Sequence, residues 1–479
     1  MKSLASPPAG FGAPGSEPWE RYAALAELWW SRHAGGDAGI ARQRLCALVD
    51  FARAASPFYA RLYAHLPRGE VPLAALPVVD KARLMARFDD WSTDRAVSRA
   101  GVERFLAGRP RIGAPYLDRY RVWKSSGTSG TPGIFLQDEH ALSIYEALVL
   151  AQWAEAGPDL ASGARAWRSA GRAALVAADG DHYASIEFWD RLGRSNPGLL
   201  QRSFSVLEPV ASLVARLNDY RPAFLASYPS VLRLLAGEQA AGRLAIEPAL
   251  LWSGGEHLGH AARARIEAAF GCRVMNEYGA SECMSIAFGC REGWLHVNSE
   301  WVIAEGVDAH GAPVRPGELS HTALVTNLAN RVQPIIRYDL GDRIVAAPGP
   351  CACGNPRPAI RVEGRNDATV ELRVAGHAPV ALPPLALSTV VEEAAGEHRF
   401  QVAQVAPDRL VVRFDAAVPR AERLRIGRRA VRALEAWLAS QSLHGARVGL
   451  ATGPPRTDPR SGKLHAVTVE QPWRANPRR

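Results

Sequence analysis

No run of about 18 consecutive apolar residues occurs in the chain, which excludes an obvious membrane-spanning helix. Residues 1–19 are rich in Pro, Gly and Ala but have no charged start followed by an apolar core, so no signal peptide is visible. The six cysteines, at positions 46, 272, 283, 290, 351 and 353, are too sparse in 479 residues for a disulfide scaffold. Together these absences predict a cytoplasmic, reducing setting. Also missing is a Gly-x-Gly-x-x-Gly that opens a helix after a strand, and with it the usual dinucleotide-binding signature. A Walker-type phosphate loop is excluded too, since Thr131 and Pro132 follow Gly130 where a lysine would be required. No Lys/Arg block is interleaved with aromatics. Arg420, Arg423, Arg425, Arg428, Arg429 and Arg432 fit a solvated helix face, so no nucleic-acid partner is expected.

What is present is a long chain with a modest basic excess. At 479 residues it exceeds what one compact core usually grows to, which predicts at least two domains. The 57 basic and 48 acidic side chains leave a net charge of +9, which suits anionic ligands such as nucleotides, coenzyme A or an acidic protein.

The most informative segment is 123–133, which carries Ser125, Ser126, Gly127, Thr128, Ser129, Gly130 and Gly133. Glycine lets a backbone approach an anion closely, while the hydroxyls add donors, so the run can wrap a polyphosphate. Taken by itself it also reads as a solvated Ser/Gly turn.

Apolar spacing predicts helices between residues 19 and 108, with Leu25, Leu28, Trp29, Leu45, Leu48, Val49 and Phe51 on their inner faces. Beyond the Ser/Gly loop, helices are expected over 142–153, 230–242 and 259–270, and short strands over 173–177, 224–227, 250–253 and 274–277. Such alternation argues for an α/β fold with a largely parallel sheet covered on both faces. After about residue 365 the pattern changes to strands over 401–405, 410–414 and 447–451 around an amphipathic helix over 420–440, whose stripe is Leu424, Val431, Leu434 and Leu438. That composition suits a small α+β domain.

Five segments in this order resemble the adenylate-forming superfamily of acyl-CoA ligases, adenylation domains and luciferases. They are the Ser/Gly loop; Ser253, Gly254, Gly255 and Glu256; Asn276 to Glu282; Arg337 to Asp342 with Gly364, Arg365, Asn366 and Asp367; and Pro455, Arg456 and Thr457 leading to Gly462 and Lys463. Residues 76–81, the Arg-Tyr-Asp-Leu-Gly-Asp wording at 337–342 and Cys351 to Gly354 look most like the phenylacetate-CoA ligase branch. The resemblance implies a large AMP-binding domain with mixed sheets covered by helices over 1–365, and a small mobile α+β lid over 366–479.

It also implies roles. Glu282 matches the ligand of a catalytic Mg²⁺, which a carboxylate and phosphate oxygens suit. Ser125, Ser126, Gly127, Thr128, Ser129, Gly130, Gly254, Gly255, Glu256, Glu277, Tyr278, Gly279, Ser281, Asp342 and Arg365 match the ATP and AMP site. Within that set Tyr278 offers a face to adenine and Asp342 can accept both ribose hydroxyls. Lys463 matches the lysine of the adenylation half-reaction, and Asp367 the hinge about which the lid turns. Two departures stand out: Thr131 occupies the place of a common lysine, and Ala368 follows the hinge where many relatives have a polar residue.

Cys290 and His296 lie six apart, and Cys351 and Cys353 flank a single residue. These four residues could close a tetrahedral structural Zn²⁺ site or could be reduced, partly buried side chains, and the resemblance favours zinc. Tyr145, Trp153, Tyr228, Ser253 and Phe288 are candidates for a flat apolar acid pocket. The expected activity is ATP-dependent activation of an aryl or arylacetic acid, followed by transfer to coenzyme A or to a carrier-protein phosphopantetheine. A non-catalytic nucleotide or partner-binding relative, and adenylyl transfer to a cofactor, are the alternatives. Monomer and homodimer are equally compatible with the sequence.

Overall fold

The computed structural model describes residues 17–33, 37–125, 133–156, 163, 171–178, 182–196, 198–256, 258–362, 370–374, 379–396, 400–456 and 466–470. The strands of the larger, N-terminal part are β1 (Arg121–Lys124), β2 (Ile134–Gln137), β3 (Ala173–Ala177), β4 (Gln201–Ser205), β5 (Phe224–Ser227), β6 (Leu250–Ser253), β7 (Val274–Ala280), β8 (Cys283–Gly289), β9 (Leu295–Val297), β10 (Val302–Val307), β11 (Thr322–Asn327), β12 (Ile335–Asp339), β13 (Ile344–Ala346) and β14 (Ala359–Val362).

Nine of these form one sheet in the order β13, β14, β9, β8, β7, β6, β5, β3, β4. From β4 to β7 neighbours run parallel, whereas β8, β9, β14 and β13 continue antiparallel. The sheet is therefore mixed, and the expectation of a largely parallel sheet holds only for its first half. The inner parallel strands β3, β5 and β6 are short and mostly apolar, as burial on both faces requires, and every residue of β3 is buried, whereas the edge strand β4 is polar and partly exposed. Helices Ala184–Ser195, Val210–Tyr220, Pro229–Ala240 and His260–Phe270 alternate with them.

Position 279, where the sheet changes direction, can only be glycine. The β7–β8 ladder slips register between Tyr278 and Ala280. A Cβ on Gly279 would lie 1.7 Å from the carbonyl oxygen of Met284.

A separate three-stranded sheet, β10–β11–β12, carries Arg337, Tyr338 and Asp339. Segment 76–81 is tied to it: Val79 N donates to Arg337 O at 3.1 Å and Asp339 N to Val79 O at 2.8 Å. The Arg337 guanidinium donates to the carbonyls of Ala74 and Leu76 at 3.1 and 2.7 Å and pairs with Glu305 at 3.1 Å. Arg337 is buried, so these partners replace its lost hydration.

The C-terminal part contains the hairpin β15 (Val370–Leu372) and β16 (Val380–Leu382) and the four-stranded sheet of β17 (Phe400–Ala406), β18 (Arg409–Phe414), β19 (Arg447–Leu450) and β20 (Val467–Val469), ordered β19, β18, β17, β20. Helices Pro384–Ala395 and Arg420–Ser440 pack on one another beside it. It meets the larger part through Trp437, whose Nε1 donates to Leu207 O at 3.0 Å, and Gln441, which accepts from Val210 N at 3.0 Å.

Two expected faces are corrected. In Arg420–Ser440 the buried stripe is Ile426, Ala430, Leu434, Trp437 and Leu438; Leu424 is exposed and Val431 half-buried, because Gly427 receives the Leu450 side chain and centres the contact one residue further round. In helix Glu17–His33, Leu28 is buried while Leu25 and Trp29 face outward, since this helix packs along Glu139–Ala156 on one narrow side. Leu45, Leu48 and Val49 are buried as expected. Among the described residues no helix is long and apolar enough to cross a membrane.

Candidate functional site

The C-terminal ends of β5, β6 and β7 open into a cavity of about 1400 Å³. Crevices beyond the carboxyl ends of parallel strands are where such sheets bind ligands. Its lining includes Ser125, Tyr228, Gly254, Gly255, Glu256, Glu277, Tyr278, Gly279, Ser281, Glu282, Tyr338 and Asp342, which come from five separated stretches of sequence.

The mouth is set by the β1–β2 hairpin. Ser125 N donates to Gly133 O at 2.9 Å and Gly133 N to Ser125 Oγ at 2.7 Å, which fixes the loop's two ends. Ser126, Gly127, Thr128, Ser129 and Gly130, together with Arg365, Asp367 and Lys463, lie outside the described residues.

Glu282 is buried at the cavity wall, and Tyr338 OH donates to its Oε1 at 2.7 Å. Burial and the facing carboxylate push the Tyr338 phenol far above its usual range, so it stays a hydrogen-bond donor. A carboxylate held this way at a cavity wall has the chemistry to bind a hard divalent cation. Across the same cavity Tyr278 OH donates to Asp342 Oδ2 at 2.8 Å, and Asp342 is itself buried.

Gly255 adopts φ +79°, and a Cβ there would come within 3.1 Å of the Tyr228 ring. The turn thereby brings Glu256 over the start of Pro229–Ala240, where its carboxylate accepts from Ser230 N and Oγ, both at 2.9 Å. Both Glu256 oxygens thus serve the helix start, leaving the backbone of the glycine turn to face the cavity.

Three residues expected in the acid pocket are not in its lining. Tyr145 is fully buried, with its hydroxyl accepting from Asn327 at 2.7 Å; Ser253 is fully buried in β6; Phe288 packs against His296. Tyr228 and Trp153 do line the cavity. Sequence reasoning missed Trp189, Phe224 and Trp252, which with Trp153 form an aromatic wall. Ring centroids lie 5.0 Å apart for Trp153 and Phe224, 6.0 Å for Trp153 and Trp252, and 6.2 Å for Trp189 and Phe224. Period-two alternation carried the missing signal: a buried Ser253 turns its neighbour Trp252 to the opposite face.

Beside this cavity, whose lining includes Leu295 of β9 and Arg361 of β14, the two strands pair so that His296 faces Ala359. Cys290, His296, Cys351 and Cys353 converge there, with all ligand atoms within 4.8 Å of one another. Cys290 Sγ is 3.7 Å from Cys351 Sγ, and Cys353 Sγ is 3.2 Å from His296 Nε2. Tetrahedral Zn²⁺ with Zn–S bonds of about 2.3 Å requires sulfur atoms about 3.7 Å apart, and this donor set fits it. His296 Nδ1 sits 3.1 Å from Arg357 O, which assigns its proton there and leaves Nε2 unprotonated toward Cys353 Sγ.

The nine-stranded sheet, the cavity at its parallel edge and the smaller C-terminal part together define the fold of the adenylate-forming ligases. Among solved structures, 2-hydroxyisobutyryl-CoA ligase in complex with 2-HIB-AMP and CoA, in the thioesterification state, aligns with a TM-score of 0.54 at 21% identity, covering 91% of each chain. By sequence the chain is similar to the phenylacetate-coenzyme A ligase of Thermus thermophilus, at 25% identity over 265 residues, 53% of this chain and 56% of that protein. Protein CapK of Staphylococcus aureus is 27% identical over 133 residues, 27% of this chain and 28% of CapK. The chain thus spans about half the length of the first curated relative it matches and less of the second. No family model matches it.

Proposed function

We propose that the protein is an acid–thiol ligase: it activates a carboxylic acid with ATP as an acyl adenylate and then passes the acyl group to a thiol. The observation that carries this reading is one cavity lined by both the Tyr338–Glu282 and the Tyr278–Asp342 pairs. Carboxylate and ATP repel one another, so their reaction needs neutralised phosphates and in-line positioning.

In this reading Glu282 would hold Mg²⁺, whose chemistry is to neutralise the phosphate charge and carry away pyrophosphate. Asp342 and Tyr278 would bind ribose and adenine, and the backbone of Gly254 and Gly255 would admit the base. Ser125 and the loop that follows it would bind phosphates. Lys463 would enter for adenylation and leave when the lid, residues 366–479, turns about Asp367 relative to residues 1–365. The aromatic wall supports an aryl or arylacetic acid. Either coenzyme A or a carrier-protein phosphopantetheine suits the basic chain as acceptor. Zn²⁺ at Cys290, His296, Cys351 and Cys353 would pin loops and leave no open coordination position. A cytoplasmic site of action is consistent with reduced cysteines.

The test is to incubate the protein with ATP, Mg²⁺, an aryl acid panel and coenzyme A, and to look for AMP and the acyl thioester by mass spectrometry. AMP and a thioester formed in equal amounts support the reading; ATP left intact with every acid contradicts it.

A further inference from the structure

Glu277 was expected among the nucleotide ligands, yet its side chain faces elsewhere. On β7 it alternates with Tyr278, whose hydroxyl engages Asp342. Its own Oε1 accepts from Ser285 Oγ at 2.8 Å, and Trp252 also donates to it. Ser285 is held in turn by Gln152 Nε2 at 3.3 Å and Asn298 Nδ2 at 3.2 Å, so the carboxyl is fixed from behind. Both Glu277 and the indole of Trp252 line the cavity, together with Trp153, Trp189 and Phe224.

We propose that Glu277 is the specificity-determining residue of the acid pocket, and that the acid it selects carries a hydroxyl group on an aromatic ring. This rests on the acid-activating reading above. A carboxylate has about four acceptor positions, and two donors leave capacity for a third. The aromatic wall takes a flat ring; a purely apolar ring would leave that carboxyl capacity buried without a donor, which costs affinity. The aromatic wall is itself short of acceptors: the indole N–H groups of Trp153 and Trp189 are buried and have no acceptor among the described residues. A ring hydroxyl can donate to Glu277; a methyl group of similar size cannot. Burial raises the Glu277 carboxyl to about 7, so near neutrality it is either an acceptor or, when protonated, a donor as well.

The experiment pairs 3- and 4-hydroxy benzoic and phenylacetic acids with their methyl analogues on the full-length protein. Binding is read from tryptophan fluorescence, and acid-dependent exchange of labelled pyrophosphate into ATP is measured separately. At least one hydroxy acid is expected to bind about tenfold to a hundredfold more tightly than its methyl partner. Glu277→Leu removes or reverses that preference, while Glu277→Gln, which keeps an acceptor oxygen and the side-chain volume, retains part of it. Equal binding within every pair, no binding by any of these acids, or an undiminished preference in both variants overturns the inference. A preserved preference with no exchange for any acid supports Glu277 as the selector and instead contradicts the ligase reading; exchange without preference does the reverse.

Discussion

The phenolic hydroxyl of Tyr338, on β12, donates to Oε1 of Glu282, in the turn between β7 and β8, at 2.7 Å, joining residues 56 positions apart. The bond orients one carboxylate oxygen; in the proposed reading the other would bind the cation. Glu282→Gln is expected to lower acid-dependent pyrophosphate exchange by about 100-fold or more with an unchanged melting temperature. Tyr338→Phe removes only the orienting bond and should cost about tenfold or less. Steady-state exchange at saturating ATP separates the two, and equal losses would remove the distinction between holding a cation and orienting its ligand.

Two glycines should respond to alanine with opposite signs. Gly279→Ala drives a methyl group into the Met284 carbonyl and is expected to destabilise the protein by about 3 kcal/mol or to prevent folding. Gly237 lies in helix Pro229–Ala240 with nothing within 4 Å of an added Cβ, so Gly237→Ala should stabilise by about 0.5–1 kcal/mol. Thermal melts of the two variants beside the parent check both.

Metal analysis of the purified protein is expected to find one zinc per chain, bound by Cys290, His296, Cys351 and Cys353. Cys353→Ala should lose the metal and lower the melting temperature, because binding energy at a closed site is folding energy. Zinc-free protein with an unchanged melt in the variant would mean that the four side chains are merely neighbours.

Stability should depend on pH through Glu277. Its folded pKa, raised by burial from 4.5 to about 7, exceeds the unfolded value, so the folded state binds the proton more tightly. The resulting stability, at most about 3 kcal/mol, is present in full below pH 4.5 and is lost as pH rises through 7. Groups other than Glu277 are common to both proteins, so the informative quantity is the difference between the parent and Glu277→Gln. The parent is expected to lose stability relative to that variant between pH 5 and pH 8. Parallel melting curves would place the Glu277 carboxyl in ordinary solvent.

Much of the fold was legible because parallel strands buried on both faces spell short apolar runs; β3, β5 and β6 lie where the sequence predicts them. The antiparallel half was not: β8 and β9 follow β7 as neighbouring strands, but β14 joins them by pairing Ala359 with His296, a long-range contact that no local pattern names. Motif residues such as Glu282, Tyr278 and Asp342 were readable from local wording and do meet in one cavity. The cavity lining was misread by one position on β6, where Ser253 was chosen and Trp252 lines the wall. Burial of Tyr145 and Phe288 likewise depends on neighbours that no local pattern names: Asn327 for one, His296 for the other.

The most direct measurement is exchange of labelled pyrophosphate into ATP, with Mg²⁺ and no thiol, across hydroxy-substituted and plain aryl acids, in the parent and in Lys463→Ala. Acid-dependent exchange in the parent is expected, with its collapse in Lys463→Ala while that variant still forms thioester from a supplied acyl adenylate. No exchange with any acid in the parent, or equal loss of both half-reactions in the variant, would contradict acid activation by a site that a mobile lysine completes.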